Sequence, residues 1–190
     1  MRNIAIFASG NGSNAQRIAE YFRESSHVKI TRIFCNRPDA YVLKRAEFLQ
    51  IPSLVFTRKD LYESSVILNQ LQHDKTDLIV LAGFLWFVPE NILNAFHCRI
   101  VNIHPALLPK YGGQGMYGSR VHEAVIAARE KESGITIHFV NEKYDEGKII
   151  FQAKCRVDAS DNPESLAKKI HTLEHEHYPM VIENLLSSLP

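Results

Sequence analysis

Short, largely apolar runs alternate along the first hundred residues with longer stretches in which apolar positions recur every three or four residues. The runs at 4–8, 28–35, 53–56, 78–82 and 100–103 are of strand length. Most show no strict polar alternation, the behaviour of parallel strands covered on both faces by helical crossovers. Helices are expected between them at 14–24, 42–49, 61–73 and 89–96. In the third of these Leu61, Ser65, Leu68 and Leu71 fall near one face of a 3.6-residue period. The pattern changes near residue 105. A stretch rich in proline and glycine at 105–118 precedes a helix in which Val121, Ala124, Val125 and Ala128 share a face. Two further strands, at 135–140 and 149–157, are joined by a polar turn at 142–147 and read as a hairpin or an antiparallel edge. A last helix opens at Asp161-Asn162-Pro163-Glu164, with Asp161 as the capping side chain and Glu164 the carboxylate three residues on. Pro179 is expected to kink or interrupt it. The expected fold is α/β: a doubly wound, mostly parallel sheet with helices on both faces and an antiparallel edge in the C-terminal part, one domain over 1–190.

Charge narrows the partners. Lys plus Arg number 22 against 21 Asp plus Glu, a net charge of +1, so nothing favours a nucleic acid or a membrane surface. No apolar run approaches the roughly 18 residues of a membrane span, and the N-terminal run is short for a signal peptide. Cys35, Cys98 and Cys155 lie far apart without CxxC spacing. They are expected to be buried, reduced thiols of a cytoplasmic protein, with no metal.

Three motifs offer chemistry. Ser9-Gly10-Asn11-Gly12-Ser13-Asn14-Ala15 joins the first strand to the first helix. Its glycines allow close backbone approach, and the helix start presents N–H groups to an anion. Gly10-x-Gly12-x-x-Ala15 also fits the dinucleotide fingerprint, yet the second strand ends Cys35-Asn36-Arg37, without the acid that a ribose hydroxyl needs. NAD is disfavoured; Arg37 suits a 2′-phosphate, Ser13 and Asn14 suit a terminal monophosphate, and a plain structural turn stays open. Asn102 and His104, two residues apart at the end of a strand, share a face and bring an amide donor and an imidazole to one point. Tyr144-Asp145-Glu146-Gly147 offers a carboxylate able to raise the pKa of a nearby imidazole, although turns favour the same residues. His171-x-x-Glu174-His175 has the spacing of a zinc-peptidase helix, but no third ligand accompanies it, and a polar helix face is the plainer reading. The apolar segment 81–89 is either core or one wall of a pocket for a flat heteroaromatic ring.

Together these pieces resemble the glycinamide ribonucleotide (phosphoribosylglycinamide) formyltransferases of the folate-dependent formyltransferase superfamily. The resemblance runs from Ile4 to about Glu183. It rests on the 9–14 loop, Leu81-Ala82-Gly83-Phe84, the run from Asn102-Ile103-His104-Pro105 through Pro109-Lys110-Tyr111, and Val140 through Asp145-x-Gly147. The resemblance implies transfer of a formyl group from 10-formyltetrahydrofolate, as co-substrate, to the amine of glycinamide ribonucleotide in purine biosynthesis, without a metal. It implies a catalytic trio of Asn102, His104 and Asp145, with His138 beside it. Gly12, Ser13 and Asn14 match the positions that hold substrate phosphate, and Glu174 a carboxylate at the substrate ribose. Leu85, Trp86, Phe87 and Val88 match the lining of the pterin pocket. On this view 1–104 is the nucleotide-phosphate half and 105–190 the catalytic-loop and folate-side half, in a monomer or homodimer. Trp86 stands where the family usually has arginine, and Lys59, with Arg58 beside it, where a folate-contacting arginine is usual. The stretch 112–118 replaces the family's Pro-Gly. The rival readings are a formyltetrahydrofolate hydrolase using the same trio and a non-catalytic nucleotide-binding module; transfer to initiator tRNA lacks a basic surplus.

Overall fold

The computed structural model describes residues 1–189. Seven strands form one sheet: β1 (Arg2–Ala8), β2 (Val28–Cys35), β3 (Ser53–Val55), β4 (Leu78–Leu81), β5 (Ile100–His104), β6 (Glu132–Phe139) and β7 (Ile149–Arg156). Their order is β3-β2-β1-β4-β5-β6-β7. β1 runs parallel to β2 and β4, and β2 parallel to β3, whereas β6 and β7 are antiparallel. This is the doubly wound sheet with an antiparallel C-terminal edge that the apolar pattern predicts. By compactness the chain divides into residues 1–101 with the C-terminal residues from Asn184, and Asn102–Glu183.

In the first unit, β1 is buried from Ile4 to Ala8 and β4 along its whole length, so neither strand has a wet face. Phe7 stacks on Phe34 with ring centroids 4.6 Å apart. The crossovers are α1 (Ser13–Tyr21), α2 (Val42–Phe48), α3 (Arg58–Tyr62), α4 (Val66–His73) and α5 (Glu90–Ala95). The single helix expected at 61–73 is therefore two. A capping box between Thr57 and Asp60 starts α3 at Arg58, earlier than the apolar pattern suggests. Ser64 then donates its hydroxyl to the Asp60 carbonyl and accepts from the Val66 N–H, diverting the backbone from continuous helix. Cys98 is exposed, not buried, at φ +56 in the turn between α5 and β5, and Cys155 on the half-open β7 is only half-buried; Cys35 is buried.

In the second unit, β6 is buried from Ser133 to His138, whereas β7 is half open. α6 (Ser119–Ala127) precedes β6, and α7 (Pro163–Ser188) follows β7. The cap of α7 lies one residue later than expected. Asn162 Oδ1 accepts from the Ser165 N–H and Ser165 Oγ accepts from the Asn162 N–H, while Asp161 pairs with Lys169. A short serine hydroxyl closes this reciprocal cap without Glu164. Pro179 does not interrupt α7; Tyr178, Val181 and Ile182, all buried around it, hold the helix continuous. Among the described residues no helix is long and apolar enough to cross a membrane.

Candidate active site

The end of β5 places Asn102 and His104 on one side of the strand, with Ile103 buried between them. β6 contributes His138, and the turn after it contributes Asp145. That turn closes because residue 147 is glycine: a Cβ there would lie 1.7 Å from the Phe139 carbonyl oxygen. Asp145 itself adopts φ +56, a region Asp tolerates better than most residues. The result is a cluster in which both histidines face one carboxylate. His104 Nδ1 lies 3.5 Å from Asp145 Oδ2, and His138 Nε2 lies 3.6 Å from Asp145 Oδ1. The sequence-predicted trio is thus brought together, with His138 as a fourth member.

Main-chain carbonyls fix the protons of both rings. His138 Nδ1 donates to the Phe139 carbonyl at 2.8 Å, which leaves Nε2 to accept from the Asn102 amide at 3.1 Å. This bond holds the Asn102 NH2 group in place and leaves its second hydrogen to donate elsewhere. His104 Nε2 donates to the Tyr111 carbonyl at 2.7 Å, so Nδ1, on the Asp145 side, is the nitrogen that gains or loses a proton. Asp145 Oδ2 also accepts from the Gly113 N–H at 2.9 Å.

Burial decides the charge of His104. The ring is 4% exposed, and desolvation pushes its pKa below the ordinary value although Asp145 pulls the other way. Asp145 does raise the pKa of its partner imidazole, but burial outweighs it, so the carboxylate does not keep His104 protonated at rest. Burial also works against the Asp145 carboxylate, yet the neighbouring His138 and His104 rings and the Gly113 N–H together hold its pKa low. The free site therefore pairs an ionised Asp145 with an imidazole that resists protonation.

The glycine loop is built in the first unit. Gly12 caps α1 at φ +77, and a Cβ there would lie 2.4 Å from Val42 Cγ2, so only glycine lets α2 approach. As the residue before the helix, Gly12 has no side chain with which to cap the first turn of α1, which begins at Ser13 and Asn14. Arg45 of α2 fastens the loop by donating to the Asn11 carbonyl and to Asn11 Oδ1, at 2.9 and 2.8 Å, and it also bonds Gln16. Ser9 accepts from the Leu85 N–H and donates its own N–H to Gly83, tying the loop to the apolar segment. Sequence reasoning missed Arg45, whose only signal is a cation on the helix after the second strand.

In that apolar segment Leu85 is exposed, Trp86 and Phe87 are half-buried and Val88 is buried. Trp86 packs edge-on against Phe56 and Phe84, and the Phe87 carbonyl accepts from the Tyr62 hydroxyl. Arg58 and Lys59 are both exposed, and the Arg58 guanidinium lies over the Trp86 ring, 5.0 Å from its centroid. Val88 lines a small apolar recess with Phe7, Leu61, Ile79 and Phe84, so it belongs to the core. In the second unit Glu174 is 6% exposed on α7. The His171 and His175 rings stack at 6.4 Å, and among the described residues no group of three His, Cys, Asp or Glu side chains is arranged to hold a metal ion.

The family described as formyl transferase matches residues 2–182. The chain belongs to that family. Among relatives, it is 40% identical over 187 residues to phosphoribosylglycinamide formyltransferase, chloroplastic, of Arabidopsis thaliana, covering 95% of this chain and 64% of that one. It therefore spans less than two thirds of the plant relative. It is 38% identical over 192 residues to phosphoribosylglycinamide formyltransferase of Bacillus subtilis, covering 98% of this chain and 95% of that one. Among solved structures of the family, glycinamide ribonucleotide transformylase 1 from Geobacillus kaustophilus superposes with a TM-score of 0.89 at 35% identity, covering 98% and 99% of the two chains.

Proposed function

We propose that the chain transfers a formyl group from 10-formyltetrahydrofolate to the primary amine of glycinamide ribonucleotide. The reading is carried by the convergence of Asn102, His104 and Asp145 at the end of β5, with an amide hydrogen, a titrating nitrogen and a carboxylate on one side. That donor set fits a formyl group, whose oxygen gains charge when an amine adds to its carbon. When bound, the folate supplies the activated formyl carbon. The second hydrogen of the Asn102 amide donates to the formyl oxygen, a bond worth about 3–4 kcal/mol where charge develops. Asp145 takes the proton of the attacking amine and passes it to His104 Nδ1, because negative charge growing beside that nitrogen offsets the burial that keeps it neutral at rest. His104 Nδ1–H in turn hydrogen-bonds the formyl oxygen while that oxygen carries charge, then gives the proton back to Asp145, which delivers it to the leaving nitrogen as the carbon–nitrogen bond breaks and the C=O bond re-forms.

Gly12, Ser13 and Asn14, at the open start of α1, hold the ribonucleotide phosphate, with Arg45 bracing the loop. The buried Glu174 accepts from ribose hydroxyls. Leu85, Trp86, Phe87 and Val88 receive the pterin, and Arg58 or Lys59 meets the carboxylates of the folate tail. The near-neutral charge fits a chain with no nucleic-acid partner, and the free Cys35, Cys98 and Cys155 fit a cytoplasmic setting.

A two-substrate absorbance assay tests the reading. Folate turnover is expected only when glycinamide ribonucleotide is present; turnover without the amine indicates a hydrolase, and binding without turnover a sensor. Asp145→Asn is expected to lower kcat by at least about a hundredfold with KM within about threefold. An unchanged kcat removes Asp145 from the mechanism.

A further inference from the structure

We propose that Glu130 is a positioning residue for His104, acting through Tyr111. The proposal rests on the catalytic reading of His104, but its observable is the tautomer of that ring. His104 Nε2 is held by a main-chain carbonyl, that of Tyr111, which sits at the head of a loop with glycine at 112, 113, 115 and 118. Tyr111 adopts φ +58, a left-handed conformation unfavourable for a bulky side chain, so the orientation of its carbonyl has to be held by its surroundings. The glycines that follow carry no side chain to hold the loop. The Tyr111 side chain supplies the anchor: its hydroxyl donates to Glu130 Oε1 at 2.9 Å, and Lys110 Nζ donates to the same oxygen at 2.8 Å. Glu130 is fixed in turn, its N–H bonded to the Val125 carbonyl just past the end of α6 and its chain entering β6 two residues later.

The physical consequence concerns which nitrogen carries the proton. A neutral imidazole has one N–H, and two acceptors compete for it here: the Tyr111 carbonyl at Nε2 and the Asp145 carboxylate at Nδ1. An ionised carboxylate is the stronger acceptor. With Tyr111 free to swing away, the proton moves to Nδ1 and is locked against Asp145. The nitrogen that serves the formyl oxygen is then no longer available to receive the proton of the attacking amine. Glu130 keeps the carbonyl at Nε2 and so keeps Nδ1 open. Gly112 allows the close fit, since a Cβ there would lie 2.5 Å from Leu108 Cδ2 and 3.3 Å from Asp145 Cβ.

The test combines histidine ¹⁵N NMR of the free protein with steady-state kinetics on Tyr111→Phe, Glu130→Ala and Glu130→Gln. Tyr111→Phe removes one oxygen and keeps the ring; Glu130→Gln keeps an acceptor for the hydroxyl. In the parent protein His104 is expected to be the Nε2–H tautomer above its pKa. In Tyr111→Phe and Glu130→Ala its proton is expected to move to Nδ1, with kcat down about tenfold, a fraction of what general acid–base catalysis is worth, and both KM values within about twofold. Glu130→Gln is expected to restore the Nε2–H tautomer and most of kcat. An unchanged tautomer in both Tyr111→Phe and Glu130→Ala overturns the proposal, as does a shift that Glu130→Gln fails to rescue. If the parent protein transfers no formyl group, the tautomer shift still reports on the tether, so the two readings fail separately.

Discussion

Arg58 and Lys59 are neighbours in sequence and carry the same charge, yet the structure treats them differently. Both are exposed, but the Arg58 guanidinium lies over Trp86 at 5.0 Å and over Tyr62 at 5.8 Å. A planar cation stacked on a ring loses little freedom on meeting a carboxylate and can offer two parallel N–H donors; a free ammonium acts as a point charge. Under the folate reading, Arg58→Ala should raise the KM for the folate by about five- to tenfold and Lys59→Ala by less than about twofold. A folate lacking the glutamate should show no difference between Arg58→Ala and the parent. Equal losses for both variants, or a loss independent of the glutamate, would refute the assignment. Alignment by position alone favoured Lys59; the stacking that selects Arg58 depends on Trp86, twenty-eight residues further on in the chain, and no local pattern contains it. The same limit applies to His104. Its partner Asp145 was legible as a carboxylate before a turn glycine, but the sign of its pKa shift is set by how deeply the ring is buried, which a residue list does not state.

Elements were legible where burial alone dictates them and obscure where a single side chain decides. The central strands β1 and β4 follow the apolar runs most plainly, because a strand covered on both faces has to be apolar throughout. The break between α3 and α4, and the shift of the α7 cap from Asp161 to Asn162, each hang on one serine hydroxyl choosing a partner. The glycine loop shows both cases. Its location between β1 and α1 was plain, but the reason for Gly12 lies in α2, against Val42. Gly12→Ala brings a Cβ onto Val42 and forces alanine to φ +77, a change expected to cost about 2–4 kcal/mol from overpacking and backbone strain together. Val42→Ala on that background relieves the contact but not the strain, so denaturant unfolding should show partial recovery, by about half. Under the phosphate-binding reading the ribonucleotide KM should rise in the single variant and remain raised in the double one. Full recovery of stability in the double variant would mean the left-handed conformation costs nothing; no recovery would mean the Val42 contact is not what excludes a side chain.

For the whole molecule, buried histidines tie stability to pH. His104 and His122 are each 4% exposed, and burial lowers the pKa of both below 6.5; for His122 the charges of His171 and His104 add to that effect while Glu123 opposes it. An unfolded chain binds protons at these sites near the ordinary value, so below it the unfolded state holds more protons than the folded one. Stability then rises with pH across that window and is lost as pH falls from about 6.5 toward the folded values, by up to about 1.4 kcal/mol per pH unit for each ring. Carboxylates act with the same sign but lower on the scale. Asp74, bonded to Arg32 at 2.7 Å, has its pKa below 3.8, so its contribution is intact down to the pH at which a free carboxylate begins to protonate. Between pH 6.5 and 5 the histidines therefore dominate. The urea midpoint should fall steadily over that range in the parent protein. In His122→Gln, which removes a ring whose Nδ1 has no hydrogen-bond partner, the slope should shrink by about a third to a half, since His104 remains. Parallel slopes for the two proteins would show that His122 takes up its proton as readily when folded as when unfolded, against the burial that the structure gives it.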